Sequence, residues 1–219
     1  MDPSAERGAR PATLRCTLES PAPLVGPAIP RSGRRAHDLG PAYDHEVPPR
    51  ISAIHADITT LRVDAIVNAA NSRMRGGSGV DGAIHAAGGP AVLADCVERF
   101  PDGLATGDAG WTTAGDLPAR YVIHTVGPNR RAGETDRDLL VSCYRRSLEV
   151  ADELGVGTLA FSLIGAGVYG WSKADSIGAA LEAIEASSTA VEHVMLVGYD
   201  VPTHEQIELA LAEADEAGA

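Results

Sequence analysis

Residues 63–85 read VDAIVNAANSRMRGGSGVDGAIH, and the order of textures in that stretch decides the fold. The nearly continuous apolar run at 63–69 suits a strand covered on both faces of a sheet. A loop with glycines at 76, 77, 79 and 82 follows, and a helical pattern starts near Asp81. Such a loop is either a plain strand-to-helix turn or a backbone cradle for an anion at a helix N-terminus. The rest of the chain has to choose between them.

Outward from this stretch, strand and helix patterns alternate. ISAIHAD (51–57), DAGWTTA (108–114), ARYVIHTVG (119–127), TLAFSLI (158–164) and HVMLVGY (193–199) read as strands. Helical spacing covers 81–99, broken into two pieces at Gly88-Gly89-Pro90, and then 137–155, 173–186 and 203–214. This alternation predicts an α/β layered fold with a mixed, largely parallel sheet. The first 49 residues differ. Nine of the 14 prolines fall within residues 1–50, and no period survives there, so 1–49 reads as a disordered extension and 50–215 as the domain. RSGRRAH (31–37) reads as solvated linker before it reads as a basic contact patch.

Bulk composition narrows the function. The formal charge of −12 argues against general nucleic-acid affinity, which needs basic stripes. Residues 1–50 hold seven Arg against six Asp and Glu, so the remainder carries −13, and Lys173 is the sole lysine. An anion bound by the domain must therefore meet backbone N–H groups and helix N-termini rather than a lysine cluster. No apolar run of about 18 residues exists, which leaves no membrane-spanning helix. Cys16, Cys96 and Cys143 show no metal-ligand spacing, and the N-terminus has no apolar secretory core. Reduced thiols and a cytoplasmic location are the expectation.

Two loops of unusual composition sit at predicted strand ends, NSRMRGGSGVDG (71–82) and GAGVYG (165–170). Ligands of open α/β sheets bind beyond the carboxyl ends of the strands, so a diphosphate held between these loops is expected. Gly77 to Gly82 matches GxGxxG, but Gly77 comes nine positions after Asn68, whereas a dinucleotide fingerprint would begin at the strand end. No Gly-Lys-Ser/Thr of a Walker loop is present either.

Five motifs stand in one order: Asp57-Ile58-Thr59, Val67 to Asn71 (VNAAN), Gly76 to His85 (GGSGVDGAIH), Tyr121 to Pro128 (YVIHTVGP) and Ile164 to Gly170 (IGAGVYG). In that order and spacing the chain resembles the macro domain family over roughly residues 51–212, in particular its MacroD-type branch of ADP-ribosyl-ester hydrolases. The resemblance implies a three-layer α/β/α fold with an ADP-ribose cleft across the carboxyl ends of the strands. It implies that Asp57, with Ile58 beside it, accepts the adenine amino group. Gly79, Val80 and the loop of Gly165, Ala166, Gly167, Val168 and Tyr169 would hold the diphosphate, with Tyr169 packing on the distal ribose. Asn71, Asp81 and His85 would form the active site, Asn71 also holding the ribose.

Each of these positions has a plainer reading. Asp57 could be a strand-end turn residue, Asp81 an N-cap, and Tyr169 loop packing. His85 lies one helical turn after Asp81, and on spacing alone it reads as a structural histidine. His124, Cys96, Cys143 and Trp171 are read as structural. Two positions depart from the family pattern: Ser78 stands within the usual glycine run, and Ser172 stands where proline often follows. The implied substrate is an ester at the distal ribose, on Asp or Glu of a mono-ADP-ribosylated protein or as O-acetyl-ADP-ribose. Metal-independent and cofactor-free hydrolysis is expected, with Asp81 orienting or deprotonating water. The alternative is a non-catalytic ADP-ribose reader.

Overall fold

The computed structural model describes residues 48–218. The proline-rich segment and its basic patch lie outside these residues, except for Pro48 and Pro49. Six strands form one sheet: β1 Arg50–His55, β2 Ala65–Ala70, β3 Ala109–Thr113, β4 Tyr121–Val126, β5 Thr158–Phe161 and β6 His193–Gly198. Five helices accompany them: α1 Gly79–Gly88, α2 Pro90–Arg99, α3 Arg137–Leu154, α4 Lys173–Glu185 and α5 Val201–Gly218. All of these elements are ones the periodicity predicts. The break between α1 and α2 falls at Gly89, where φ is 70° and Pro90 opens the next helix.

The sheet order is β1-β6-β5-β2-β4-β3, parallel throughout except for β3, which runs antiparallel to β4. Side chains alternate across the pleat and divide the core in two. Ala65, Val67, Ile123, Leu159 and Phe161 pack against α3, α4 and α5 through Leu148, Ile184 and Ile207. Ile66, Val122 and Ala160 face the other way onto Ile84 of α1. Two polar residues, Asn68 and His124, belong to that second face and are fully buried. They are also direct register partners across β2 and β4. Polar groups at the centre of a parallel sheet are tolerated only when paired, so this pair leads to the site.

Among the described residues no helix is long and apolar enough to cross a membrane.

Candidate active site

The five parallel strands end on one side of the sheet, and a cleft runs there. Two cavities share Gly79, Val80, Leu163 and Gly167 at their junction. The larger, about 480 Å³, lies beyond β1 and β6 and is walled by Asp57, Ile58, Ala83, Val197 and Tyr199. The smaller, about 280 Å³, lies beyond β2 and β4 and is walled by Asn71, Arg73, Asp81, Gly127 and Tyr169. Ala166 borders the first cavity, and Gly165 and Val168 border the second. Every binding residue expected from the sequence therefore borders one continuous cleft.

The β2–α1 loop is the first wall. Gly76 and Gly79 adopt left-handed φ of 74° and 63°, and Met74 does so as well at 55°. A non-glycine residue in that region is strained, and it persists only where its surroundings fix it. Met74 is buried, and its neighbour Arg75 donates to the carbonyls of Arg73, Met74, Phe100 and Pro101, tying the loop to the end of α2. Ser78 occupies the N-cap position of α1 in extended geometry, with φ −114° and no side-chain cap bond. Its departure from glycine thus asks nothing unusual of the backbone.

Asp81 is not the cap of α1. It lies inside the first turn, 4% exposed, with both oxygens engaged. Oδ1 accepts from Asn68 Nδ2 at 2.7 Å, and Oδ2 accepts from Asn71 Nδ2 at 3.2 Å. Asn71 Nδ2 donates its second hydrogen to Gly76 O at 2.8 Å, while Asn71 Oδ1 accepts from Arg73 N at 3.1 Å. The Asn71 amide hydrogens are thus committed to the loop, and its carbonyl oxygen is what it can offer a ligand. Gly77 passes so close that a Cβ there would lie 2.8 Å from Asp81 Oδ2 and 3.2 Å from Asn71 Nδ2. Glycine at 77 is a requirement of space rather than of φ.

His85 stands behind Asp81, away from the cleft. Its Nε2 lies 3.5 Å from Asp81 Oδ1, and its ring borders a separate shallow groove beside Arg75 and Gly82. Its buried Nδ1 has no hydrogen-bond partner among the described residues. Asp57 plays the turn role and keeps a free face: Oδ1 accepts from Thr59 N and Thr59 Oγ1, capping a short 3₁₀ turn, Ile58–Thr60. The exposed side chain also borders the larger cavity.

The β5–α4 loop is the second wall, and it offers backbone. Gly165 and Gly170 take left-handed φ of 73° and 83°, and Gly167 and Val168 are exposed at the tip. Its base is fixed from inside. Trp171 Nε1 donates to Pro128 O at 2.8 Å, and Tyr144 Oη accepts from Ile164 N at 2.9 Å. Ser172 caps α4, accepting from Asp175 N at 3.0 Å, which gives this departure from proline a structural role.

Sequence reasoning leaves out Asn68, which joins the site through Asp81, and places His124 among structural residues. A polar residue in the middle of each of two buried apolar strands is the signal that marks them. His124 has its pKa pushed down to about 3 by burial and by His85 nearby, so the ring is neutral. Cys96 Sγ lies 3.7 Å from His124 Nε2, and burial together with Asp81's charge pushes its thiol up to about 11. That is a thiol, not a nucleophilic thiolate. The spacing of the sequence hides a further grouping: His85, Cys96 and His124 each place a donor atom within 4.8 Å of the others. Cys143 is buried in the α3 core and donates to backbone carbonyls.

The Macro domain family model matches residues 67–180. A macro domain-containing protein of Streptomyces nogalater is 49% identical over 168 residues, covering 75% of this chain and 93% of that protein. O-acetyl-ADP-ribose deacetylase 1 of Pantoea vagans is 44% identical, covering 71% of this chain and 95% of that enzyme. Among solved structures, the Trypanosoma brucei macrodomain in complex with ADP-ribose superposes with a TM-score of 0.68 at 36% identity, covering 74% of this chain and 69% of that one.

Proposed function

This chain belongs to the macro domain family, and on that premise we propose that it binds ADP-ribose and hydrolyses esters at its distal ribose. The observation that carries the hydrolytic part is Asp81, a carboxylate almost withdrawn from solvent yet bordering the smaller cavity, aimed by amides from two sides. A module that only binds has no use for a buried, oriented base.

The division of the cleft suits the ligand. Adenine fits the larger cavity, with its apolar Ile58 and Val197 walls and the Asp57 carboxylate to accept an amino group. The diphosphate spans the shared waist, where the α1 N-terminus and the β5–α4 loop present backbone N–H groups. This answers the shortage of lysine. The distal ribose then reaches the smaller cavity beside Asn71, Asp81 and Tyr169. There Asp81 takes a proton from water as the water adds to the ester carbonyl, and returns it to the departing ribose oxygen as the acyl C–O bond breaks, so the products are ADP-ribose and a free carboxylic acid. Asn71 holds the ribose through its carbonyl oxygen and keeps Asp81 in line. The related Trypanosoma brucei complex and the Pantoea vagans deacetylase support ligand and chemistry respectively.

The test is release of ADP-ribose from a protein mono-ADP-ribosylated on Glu, with O-acetyl-ADP-ribose in parallel, by the wild type and Asp81→Ala. Release by the wild type alone supports the reading. Binding of ADP-ribose without release from either substrate would leave a reader module.

A further inference from the structure

We propose that His124 is a positioning residue for the Asp81 carboxylate, acting through Asn68 as a neutral imidazole with its proton on Nε2. This rests on the hydrolase reading above for its catalytic meaning but not for its structural content. The chain of contacts runs from the sheet edge to the cleft. Thr112 Oγ1 donates to Thr113 O at 3.0 Å, so its hydroxyl hydrogen is spent. His124 Nε2 lies 2.8 Å from Thr112 Oγ1 and, with that hydroxyl hydrogen on Thr113 O, is the donor there. With the proton on Nε2, Nδ1 carries the lone pair, and it faces Asn68 Nδ2 at 3.0 Å. The other Nδ2 hydrogen goes to Asp81 Oδ1 at 2.7 Å.

Turning the Asn68 amide over would set its carbonyl oxygen 2.7 Å from a carboxylate oxygen and leave its nitrogen facing no acceptor. The orientation is therefore fixed by Asp81 on one side and His124 on the other. The fold accepts a penalty for it: Asn68 Oδ1 is buried with no hydrogen-bond partner among the described residues. An unsatisfied buried acceptor is destabilising, because the group gives up its water without replacement. A pair serving stability alone would be better replaced by apolar residues like their neighbours Ile66 and Val122. Keeping both amide hydrogens pointed, at that penalty, is what a device for holding a carboxylate requires.

The same arrangement opposes an ion shared by His85, Cys96 and His124, which would have to displace the Nε2 proton and break its bond to Thr112. The His124 Nε2 lone pair, the atom nearest Cys96, is occupied by a proton, and Nδ1 is turned to Asn68.

The test begins on the wild-type protein, with imidazole nitrogen NMR of His124 and calorimetry with Zn²⁺ alone. The expected result is the neutral Nε2–H form from pH 5 to 8 and no stoichiometric Zn²⁺ uptake. An Nδ1–H form, an imidazolium near neutrality, or Zn²⁺ binding that removes the Nε2–H signal would overturn the proposal whatever the enzyme does. The second arm compares His124→Gln, whose amide can both accept from Asn68 and donate to Thr112, with His124→Leu, which can do neither. Turnover of the Leu variant should fall by roughly 10- to 100-fold, the scale of a misplaced catalytic group. ADP-ribose affinity should stay within about two-fold, and the Gln variant should recover most of the rate. Equal loss of binding and turnover in both variants would overturn it. Wild-type inactivity on both esters would sink the hydrolase reading alone, leaving the NMR arm to decide the placement of His124.

Discussion

The two glycine loops that close on the cleft look alike in sequence and are built on opposite principles. In the β2–α1 loop glycine makes room for side chains: Gly77 is needed because Asp81 and Asn71 stand where its Cβ would be. In the β5–α4 loop glycine shapes a bare backbone, and the side chains that matter, Trp171 and Tyr144, lie underneath as anchors. On the proposed reading one wall carries the reacting groups, and the other offers N–H groups on a base anchored by Trp171 and Tyr144. Glycine content alone marks where the cleft lies. Which wall does chemistry depends on what packs behind it.

The contrast can be broken at its strongest point first. Asp81→Ala should lower ester turnover by roughly 10²–10⁴-fold, the range for a lost general base, while calorimetry still detects ADP-ribose binding. Near-normal turnover would remove chemistry from the first wall. Gly77→Ala should come next, with turnover down by up to about 10²-fold as the methyl group pushes Asp81 off its amides. The thermal midpoint should fall as well, because the buried Asp81 carboxylate loses amide partners, although the φ of Gly77 is not left-handed and the backbone itself is not strained. If binding fell as far as turnover, the room Gly77 leaves would serve the ligand and not Asp81.

Asp57 belongs to neither wall and serves as a reference for pure binding. Asp57→Ala should weaken ADP-ribose by about ten-fold or more, for a charge-assisted bond of about 1.5–3 kcal/mol. Asp57→Asn separates this from the turn, since its carbonyl can still cap Thr59. The smallest effect is expected at Gly165→Ala. A left-handed φ and a Cβ 2.7 Å from Trp171 Cδ1 should cost about 1–2 kcal/mol. That corresponds to a thermal midpoint lower by roughly 3–6 °C, with the rate on bound substrate preserved. A large rate loss with no thermal change would make the two walls equivalent after all.

Much of this was legible residue by residue. The apolar run at 63–69 and the spacing of 137–155 announced β2 and α3, and the break at Gly88-Gly89-Pro90 announced two helices instead of one. Ser78 and Ser172 could be seen as departures, but not judged: whether Ser78 must take a positive φ is a property of the closed loop, and the answer is that it does not. Asp81 read equally well as a cap, because α1 starts at Gly79, two residues before the helical pattern becomes apparent. Asn68 and His124 each looked like one polar residue in a buried strand.

By itself the sequence determined the alternation of strands and helices, the two glycine-rich loops at strand ends and the titratable residues placed beside them, because these follow from local periodicity and residue type. Only the tertiary structure decided the strand order, and with it that β2 and β4 lie side by side. Their register sets Asn68 against His124, 56 residues apart, and turns two isolated polar residues into the support of Asp81. A hydrogen bond between distant segments leaves no trace in local pattern. It exists because the sheet places the two residues opposite each other in a core where neither could otherwise be paired.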